Sequence, residues 1–590
     1  MEISVATAVA KFLSSKGSNA AFVVAGGASL HLIHAFACEP GCNVYPLHHE
    51  QSVAMAVDGF SRSSNSVGVG IVTSGPGSTN LATGIAGCFY DSVPGIFVTG
   101  QVSTFRRAGK SGVRQFGFQE TPIAEVLSPI CKEVVQILEP SGLREKLEFA
   151  YFAATSGRQG PVVIEIPDNL QREIIQWDSK VKPRPSPSPA PKLDADYADR
   201  FFQMLNQAHR PVIIGGAGLI RSQAEQAFKR FVERAGIPVA LTWGAASALE
   251  TGHPNFVGFF GTHGDRHGNL VVQNSDLVIS IGSRLDTKAT GSPITSFARE
   301  ARKIVIDIDP LELEKFSHFG MEVDLAICSD ALAFLELVAN RETPKIDSGW
   351  LGYCAQTKQE CQQIEHENRV GRGVNPYSTI ALLSELGPRE LDVYVDTGCS
   401  LPYVMSSFSV NEQRRIFHDF NNTAMGWSLP ATVGGFVGAP TRATVTIIGD
   451  GSLMMALHDL TTFAALNPAA KIVLLDNSGY SMIRQTQDQW LGSQYVASSP
   501  ELGLHFPDYS MLAMSAGFSY LDLEEQQDSS ELIRRFWQEE SPVLLRLGID
   551  ASWRVIPQVK FGSPNEEMEP SLKEEVFSRL MLVPRGEKAK

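Results

Sequence analysis

The sequence predicts an α/β protein made of three doubly wound, largely parallel sheets. Two observations lead there. Apolar, β-branched runs such as Val67–Thr73, Leu277–Ile281 and Thr444-Val-Thr-Ile-Ile-Gly449 are continuous rather than alternating, as in strands covered on both faces. Segments with helix-spaced apolar residues separate these runs, so strands and helices alternate along the chain. Length supplies the domain count, because 590 residues exceed what one core organises.

Residues 1–180 read as the first domain. A helix is expected over Ala6–Leu13, a strand over Ala21–Ala25 ending at Gly26-Gly27, and a helix through Ala54, Ala56 and Phe60. Further strands fall at Val67–Thr73, Gly95–Thr99 and Pro161–Ile166. Five prolines between Pro183 and Pro191 make 181–192 an extended linker. The second domain, 193–342, has a strand before the Gly-rich turn Gly215-Gly-Ala-Gly218, then strands over Asp276–Gly282 and Lys303–Pro310. Low hydrophobicity over 343–375 reads as a second linker, 376–555 as the third domain, and 556–590 as a charged tail whose basic end frays.

Composition narrows the function. A formal net charge of −14 excludes nucleic acid and anionic membrane surfaces as general partners. No run of 18 apolar residues predicts a membrane helix. The start Met1-Glu-Ile-Ser-Val lacks the basic region of a signal peptide, so a cytoplasmic protein is expected. The eight cysteines are scattered; Cys38 and Cys42 have no second pair at zinc spacing, which leaves reduced structural thiols.

The strongest motif runs from Thr444 to Tyr480. An apolar strand ends in Gly449-Asp450-Gly451-Ser452, Met454–Leu466 follows with helix spacing, and Ile472-Val-Leu-Leu-Asp stops at Asn477. Such a βαβ unit places Asp450 and Asn477 side by side at the carboxyl ends of parallel strands, where open α/β sheets bind ligands. A carboxylate and an amide oxygen suit Mg²⁺, and the N–H groups of a helix start suit a phosphate.

This spacing, Gly-Asp-Gly with Asn 27 residues after the aspartate, resembles the diphosphate motif of thiamine diphosphate (ThDP) enzymes. The resemblance implies that Asp450, Asn477 and the backbone carbonyl of Gly479 hold Mg²⁺, with Gly449, Gly451, Ser452 and Tyr480 around the cofactor. His49-Glu50-Gln51 before an Ala-rich helix is similar to the acetolactate synthase branch of that family. There the glutamate hydrogen-bonds N1′ of the aminopyrimidine and so favours the basic imino tautomer, which makes Glu50 the expected catalytic residue. Gly26 and the loop Thr73-Ser-Gly75-Pro-Gly-Ser-Thr-Asn80 resemble the pyrimidine side of the site. Asn422-Thr-Ala-Met425-Gly-Trp matches the segment whose methionine props the cofactor into a bent shape. The resemblance further implies that Glu50 and Asp450 meet across a subunit interface in a homodimer or homotetramer.

In the second domain, Gly216 in its Gly-rich turn, Gly258-Phe-Phe-Gly-Thr-His-Gly264, Arg284 and Asp307 resemble the FAD-binding middle domain of acetolactate synthases. FAD is the expected third cofactor, and relatives without it keep the same fold.

Two departures bear on the substrate. Thr486 stands where acetolactate synthases carry the tryptophan that selects 2-ketobutyrate, and Asp168 where they carry lysine. Arg114-Gln-Phe-Gly-Phe-Gln119-Glu120 and Asn477–Gln487 look instead like a sugar-pathway carboligase branch that makes yersiniose-type branched sugars. That likeness puts Gln119 with Glu50 and Met425 among the catalytic residues. Arg106, Arg107, Lys110 and Arg114 offer cations to a diphosphate, or form a solvated loop. The expected reaction is decarboxylation of a 2-oxo acid such as pyruvate and transfer of the two-carbon unit to a carbonyl acceptor, a nucleotide-activated ketosugar among them. Acetolactate synthase, a simple decarboxylase, a pyruvate oxidase and a non-catalytic paralogue remain as alternatives.

Overall fold

A computed structural model describes residues 1–64, 66–109, 111–178, 193–525 and 527–586; the proline-rich stretch, Lys110 and the last four residues lie outside them. Three six-stranded sheets carry the fold, and every pairing within them is parallel. The first has the spatial order Asn43–Pro46, Ala20–Val23, Gly68–Val72, Gly95–Gln101, Pro161–Pro167, Glu133–Gln136. The third runs Arg414–Phe417, Leu391–Val395, Ala443–Gly449, Lys471–Asp476, Val543–Gly548, Ser519–Leu523. Counted along the chain, both have the order 2-1-3-4-6-5, whereas the middle sheet (Phe256–Phe259, Val239–Leu241, Pro211–Gly215, Leu277–Ile281, Arg302–Asp307, Leu325–Cys328) is 3-2-1-4-5-6, the dinucleotide-binding order. The central strands are buried along their whole length, which explains their unbroken apolar runs.

The first and third domains meet through helices Glu50–Ser63 and Ser428–Gly438. Glycines permit the crossing. A Cβ at Gly59 would stand 2.6 Å from the Ala431 carbonyl carbon, and one at Gly434 2.7 Å from that of Ala56. Behind this crossing, fully buried Arg62 donates to Asp58 (2.7 Å), Asp91 (2.7 Å) and the His418 carbonyl (2.8 Å). The indole of Trp427 donates to Asp58 at 2.7 Å.

Three expectations need correction. The helix expected over Met454–Leu466 is broken into Asp450–Met454, a 3-10 turn Leu457–Asp459 and Leu460–Leu466. At the break, Asp459 accepts from Ser52 Oγ of the first domain at 2.5 Å. Within the supposed linker 343–375 lies the helix Ser348–Asn368, capped by Asp347. It buries one stripe, Trp350, Cys354, Thr357, Cys361 and Glu365, against the middle domain and leaves the rest polar, which is why its composition reads as a linker.

Nor is the tail loose up to residue 586. Strands Gln558–Val559 and Met568–Glu569 pair antiparallel, and helix Glu574–Leu580 buries Phe577 and Leu580. Buried middle-domain side chains hold it: Arg266 donates to the carbonyls of Met568 (3.2 Å) and Pro570 (2.7 Å), and Asn274 to that of Leu580 (2.8 Å). Few of these contacts involve apolar residues at a regular period, so the sequence gives little sign of them.

Candidate active site

Asp450 follows the strand Ala443–Gly449, and Asn477 follows its parallel neighbour Lys471–Asp476, with Gly449 opposite Leu475. That register brings them together. Asp450 Oδ2 accepts from the N–H of Asn477 (3.1 Å) and of Gly479 (2.9 Å), and Oδ1 from Gly451 N–H (2.7 Å). Asp450 is only 2% exposed. Burial, with help from Asp476, pushes its carboxyl up to about 7 against the three N–H donors that stabilise the anion. Asn477 Oδ1 is buried and has no hydrogen-bond partner. A buried amide oxygen without a donor is costly unless a cation takes that place. Among the described residues no three His, Cys, Asp or Glu side chains converge on one point; what lies here is a buried carboxylate beside an unpartnered amide oxygen, both hard donors. The residues present fit Mg²⁺.

Met425 and Tyr480 converge over Gly451. A Cβ there would collide with the Tyr480 ring and stand 3.3 Å from Met425 Cε. The turn bearing Met425 hangs on Asp396, which sequence reasoning missed. This fully buried carboxylate accepts from Gly426 N–H (3.0 Å) and Ser428 N–H (2.8 Å), and Ser452 bonds to it as well. The available sign was its position, since Leu391-Asp-Val-Tyr-Val-Asp396 ends a buried strand at the same sheet edge as Asp450.

Glu50 opens its helix after His49, whose ring accepts from Gln51 N–H at 3.0 Å. Its carboxylate is half-buried and accepts from Asn80 Nδ2 at 2.9 Å. A Cβ at Gly77 would lie 3.7 Å from Glu50 Oε1, and one at Gly75, where φ is +63°, 3.1 Å from Gln119 Cβ. Gly26 closes the same edge against Thr73. Thus Gly26, Glu50, Gly75, Asn80 and Gln119 gather at the carboxyl edge of the first sheet. Within one chain no hydrogen bond joins Glu50 to Asp450, Asn477 or Gly479.

The third group of residues borders a cleft of about 1010 Å³ between the middle domain and its neighbours. Gly218, Trp243, Gly264, Arg284, Asp307 and Phe420 line it. Gly216 does not; it is pressed against Gly282 and Ser283, a strand-to-strand approach that only glycine permits. Arg284 donates to Asn421 Oδ1 at 2.8 Å, and burial raises the Asp307 carboxyl to about 6. His263 Nε2, also on the wall, is buried without a partner. The size and the polar strand ends fit a dinucleotide such as FAD.

Of the remaining candidates, Thr486 is half-buried on helix Ser481–Trp490 and donates to the Met482 carbonyl at 3.1 Å. Asp168 accepts from Ser103 Oγ at 2.5 Å. Arg107 pairs with Glu165 at 3.4 Å, while Arg106 and Arg114 are exposed.

Comparison with known proteins covers the chain in three consecutive parts. Residues 3–123 match the thiamine pyrophosphate enzyme N-terminal TPP binding domain, 198–338 the central domain, and 396–547 the C-terminal TPP binding domain. Acetolactate synthase isozyme 2 large subunit of Escherichia coli (strain K12) is 31% identical over 565 residues, covering 94% of this chain and 97% of that protein. Acetolactate synthase 1, chloroplastic, of Nicotiana tabacum is 30% identical over 562 residues, 93% of this chain and 82% of the relative. Acetolactate synthase, chloroplastic, of Arabidopsis thaliana is 29% identical over 564 residues, with the same coverage.

Proposed function

Because this chain belongs to the thiamine pyrophosphate enzymes and is acetolactate synthase-like, we propose that it decarboxylates a 2-oxo acid, pyruvate in the first place, and joins the two-carbon unit to a bulky ketone such as a nucleotide-activated ketosugar. When bound, ThDP supplies a nucleophilic carbon and an electron sink for the departing CO₂. The chain's own residues divide the remaining work. Asp450, Asn477 Oδ1 and the Gly479 carbonyl would hold Mg²⁺, with Gly449, Gly451, Ser452 and Tyr480 around the diphosphate and Met425 supporting the cofactor. Glu50, kept in place by Asn80, would hold a proton against the aminopyrimidine. As the family resemblance implies, a second copy would bring its Asp450 group to the Glu50 edge and complete each site, as a homodimer or homotetramer. Gly218, Gly264, Arg284 and Asp307 would hold FAD. No helix among the described residues is long and apolar enough to cross a membrane.

Thr486 is the observation that carries the bulky acceptor. A small side chain, bonded back to its own helix, stands where the resemblance places an indole in acetolactate synthases, and it would leave more room for an acceptor there. Acetolactate synthase itself is the second reading, favoured by likeness to the E. coli large subunit over nearly its full length. ¹³C-pyruvate with protein, ThDP, Mg²⁺ and FAD, followed by NMR with and without a nucleotide ketosugar, separates the two. Carbon transfer that depends on the ketosugar supports the first reading. Rapid acetolactate formation without it overturns that reading in favour of the second, and unconsumed pyruvate sinks both.

A further inference from the structure

We propose that Arg484 is a positioning residue for the metal turn: its buried guanidinium sets the peptide planes of Asn477–Gly479 and ties them to the segment 491–499. The inference rests on the assignment of Asp450, Asn477 and Gly479 to Mg²⁺ made above.

Arg484 lies on helix Ser481–Trp490 and is 6% exposed. No carboxylate forms an ion pair with it among the described residues; exposed Glu501 feels its charge only at longer range. Instead it donates to three main-chain carbonyls: Nη2 to Ser478 (2.7 Å), Nη1 to Asn477 (3.4 Å) and Nε to Ser498 (2.9 Å). A buried cation needs such acceptors, and here they belong to two separate pieces of backbone.

The consequence for the turn follows from peptide geometry. In a trans peptide the C=O and the following N–H point in opposite directions. The Ser478 carbonyl is drawn to Arg484, so the Gly479 N–H faces the other way, onto Asp450 Oδ2 at 2.9 Å. The Asn477 carbonyl is drawn to the same guanidinium. Ser478 between them has φ +54°, a left-handed value that is costly for a non-glycine residue and needs outside support. Gly479 has no room for a side chain: a Cβ would collide with Arg484 Nη2 and stand 2.5 Å from the Ser498 carbonyl. That same carbonyl also accepts from Tyr480 N–H at 3.1 Å. Ser498 Oγ in turn donates to Gln487 Oε1 (2.6 Å), and Gln487 Nε2 to the Val496 carbonyl (2.9 Å). One planar fork therefore joins the metal turn to 491–499. A lysine ammonium, a point charge without that fork, cannot reach all three carbonyls in this geometry.

The test titrates Mg²⁺ at fixed ThDP into the full-length protein and into R484M and R484K, following cofactor binding by tryptophan fluorescence. Half-saturating Mg²⁺ is expected to rise at least tenfold in R484M and to be restored only in part in R484K. Hydrogen exchange on the wild-type protein runs beside it, so that a variant that does not fold leaves the question decidable. Addition of Mg²⁺ and ThDP should slow exchange in 477–480 and 491–499 together. Equal half-saturation in wild type and R484M, or slowing confined to 477–480, overturns the inference. A wild-type protein that binds ThDP without any need for Mg²⁺ overturns the metal assignment beneath it, a result distinct from equal titrations.

Discussion

The first and third sheets share one topology and end in opposite chemistry. In each, the strand order is 2-1-3-4-6-5, and the helix between the second and third strands packs against its counterpart in the other domain. What differs is the residue delivered at the carboxyl edge. The first edge keeps Glu50 half-exposed, with one amide donor from Asn80. The third buries Asp450 beneath three backbone N–H groups and leaves the Asn477 oxygen unpaired beside it. A parallel sheet fixes where its loops open; the loop residues decide whether that place holds a reachable proton or a fixed charge.

The sharpest way to break the comparison is to neutralise one carboxylate at a time. Glu50→Gln should lower pyruvate turnover by about 10²–10⁴-fold, the usual contribution of a positioned acid–base group, while Mg²⁺·ThDP binding stays near wild type. Asp450→Asn should do the reverse and abolish Mg²⁺-dependent cofactor binding, with activity lost in consequence. Steady-state kinetics and fluorescence titration on both variants check this division. If Glu50→Gln weakens cofactor binding as much as Asp450→Asn, the two edges are not specialised.

A smaller effect is expected where the twin domains touch. Gly434→Val places new atoms against the Ala56 carbonyl, whose backbone cannot step aside as a side chain would. Overpacking of this kind costs roughly 1–3 kcal/mol, read as a lower midpoint in chemical denaturation. Ala56→Gly, on the facing helix, would restore little, because the clash is with the main chain of residue 56.

Much of this arrangement could be read from the residues in order. Continuous apolar strands locate the three sheets, and the interval from Asp450 to Asn477 sets both at one edge, where the register puts them. Less legible were features made by single contacts between distant segments. Asp396 reaches its turn 30 residues on, and Arg266 fastens a tail 302 residues away. Neither produces periodicity. The helix Ser348–Asn368 was hidden for a related reason, since one buried stripe among polar residues leaves the average composition that of a linker. Gly216 misled in the opposite direction: a glycine in a dinucleotide-like turn serves strand packing, and its neighbour Gly218 lines the cleft.

The smallest effect expected concerns Asp419, which sits in the seam between the twin domains and caps the turn before Met425. Its carboxylate accepts from Asn422 N–H (3.3 Å) and Ala424 N–H (3.1 Å), is fully buried, and lies close to Gly87. Burial first, then Asp91 and Asp58, push its carboxyl up to about 7, opposed by Arg62. The unfolded chain releases this proton near pH 4. Between about pH 4 and 7 the folded state therefore binds more protons than the unfolded state, and this group's contribution to stability falls as pH rises through that window. Asp419→Asn removes the titration and keeps one acceptor oxygen, so one of the two N–H bonds is lost at every pH. Its stability relative to wild type should improve steadily from pH 4.5 to pH 8, on top of a pH-independent offset from the lost bond. Denaturant melts at several pH values measure the difference. A constant offset across the range would mean that Asp419 titrates as it does in the unfolded chain, and that burial in the seam does not hold its proton.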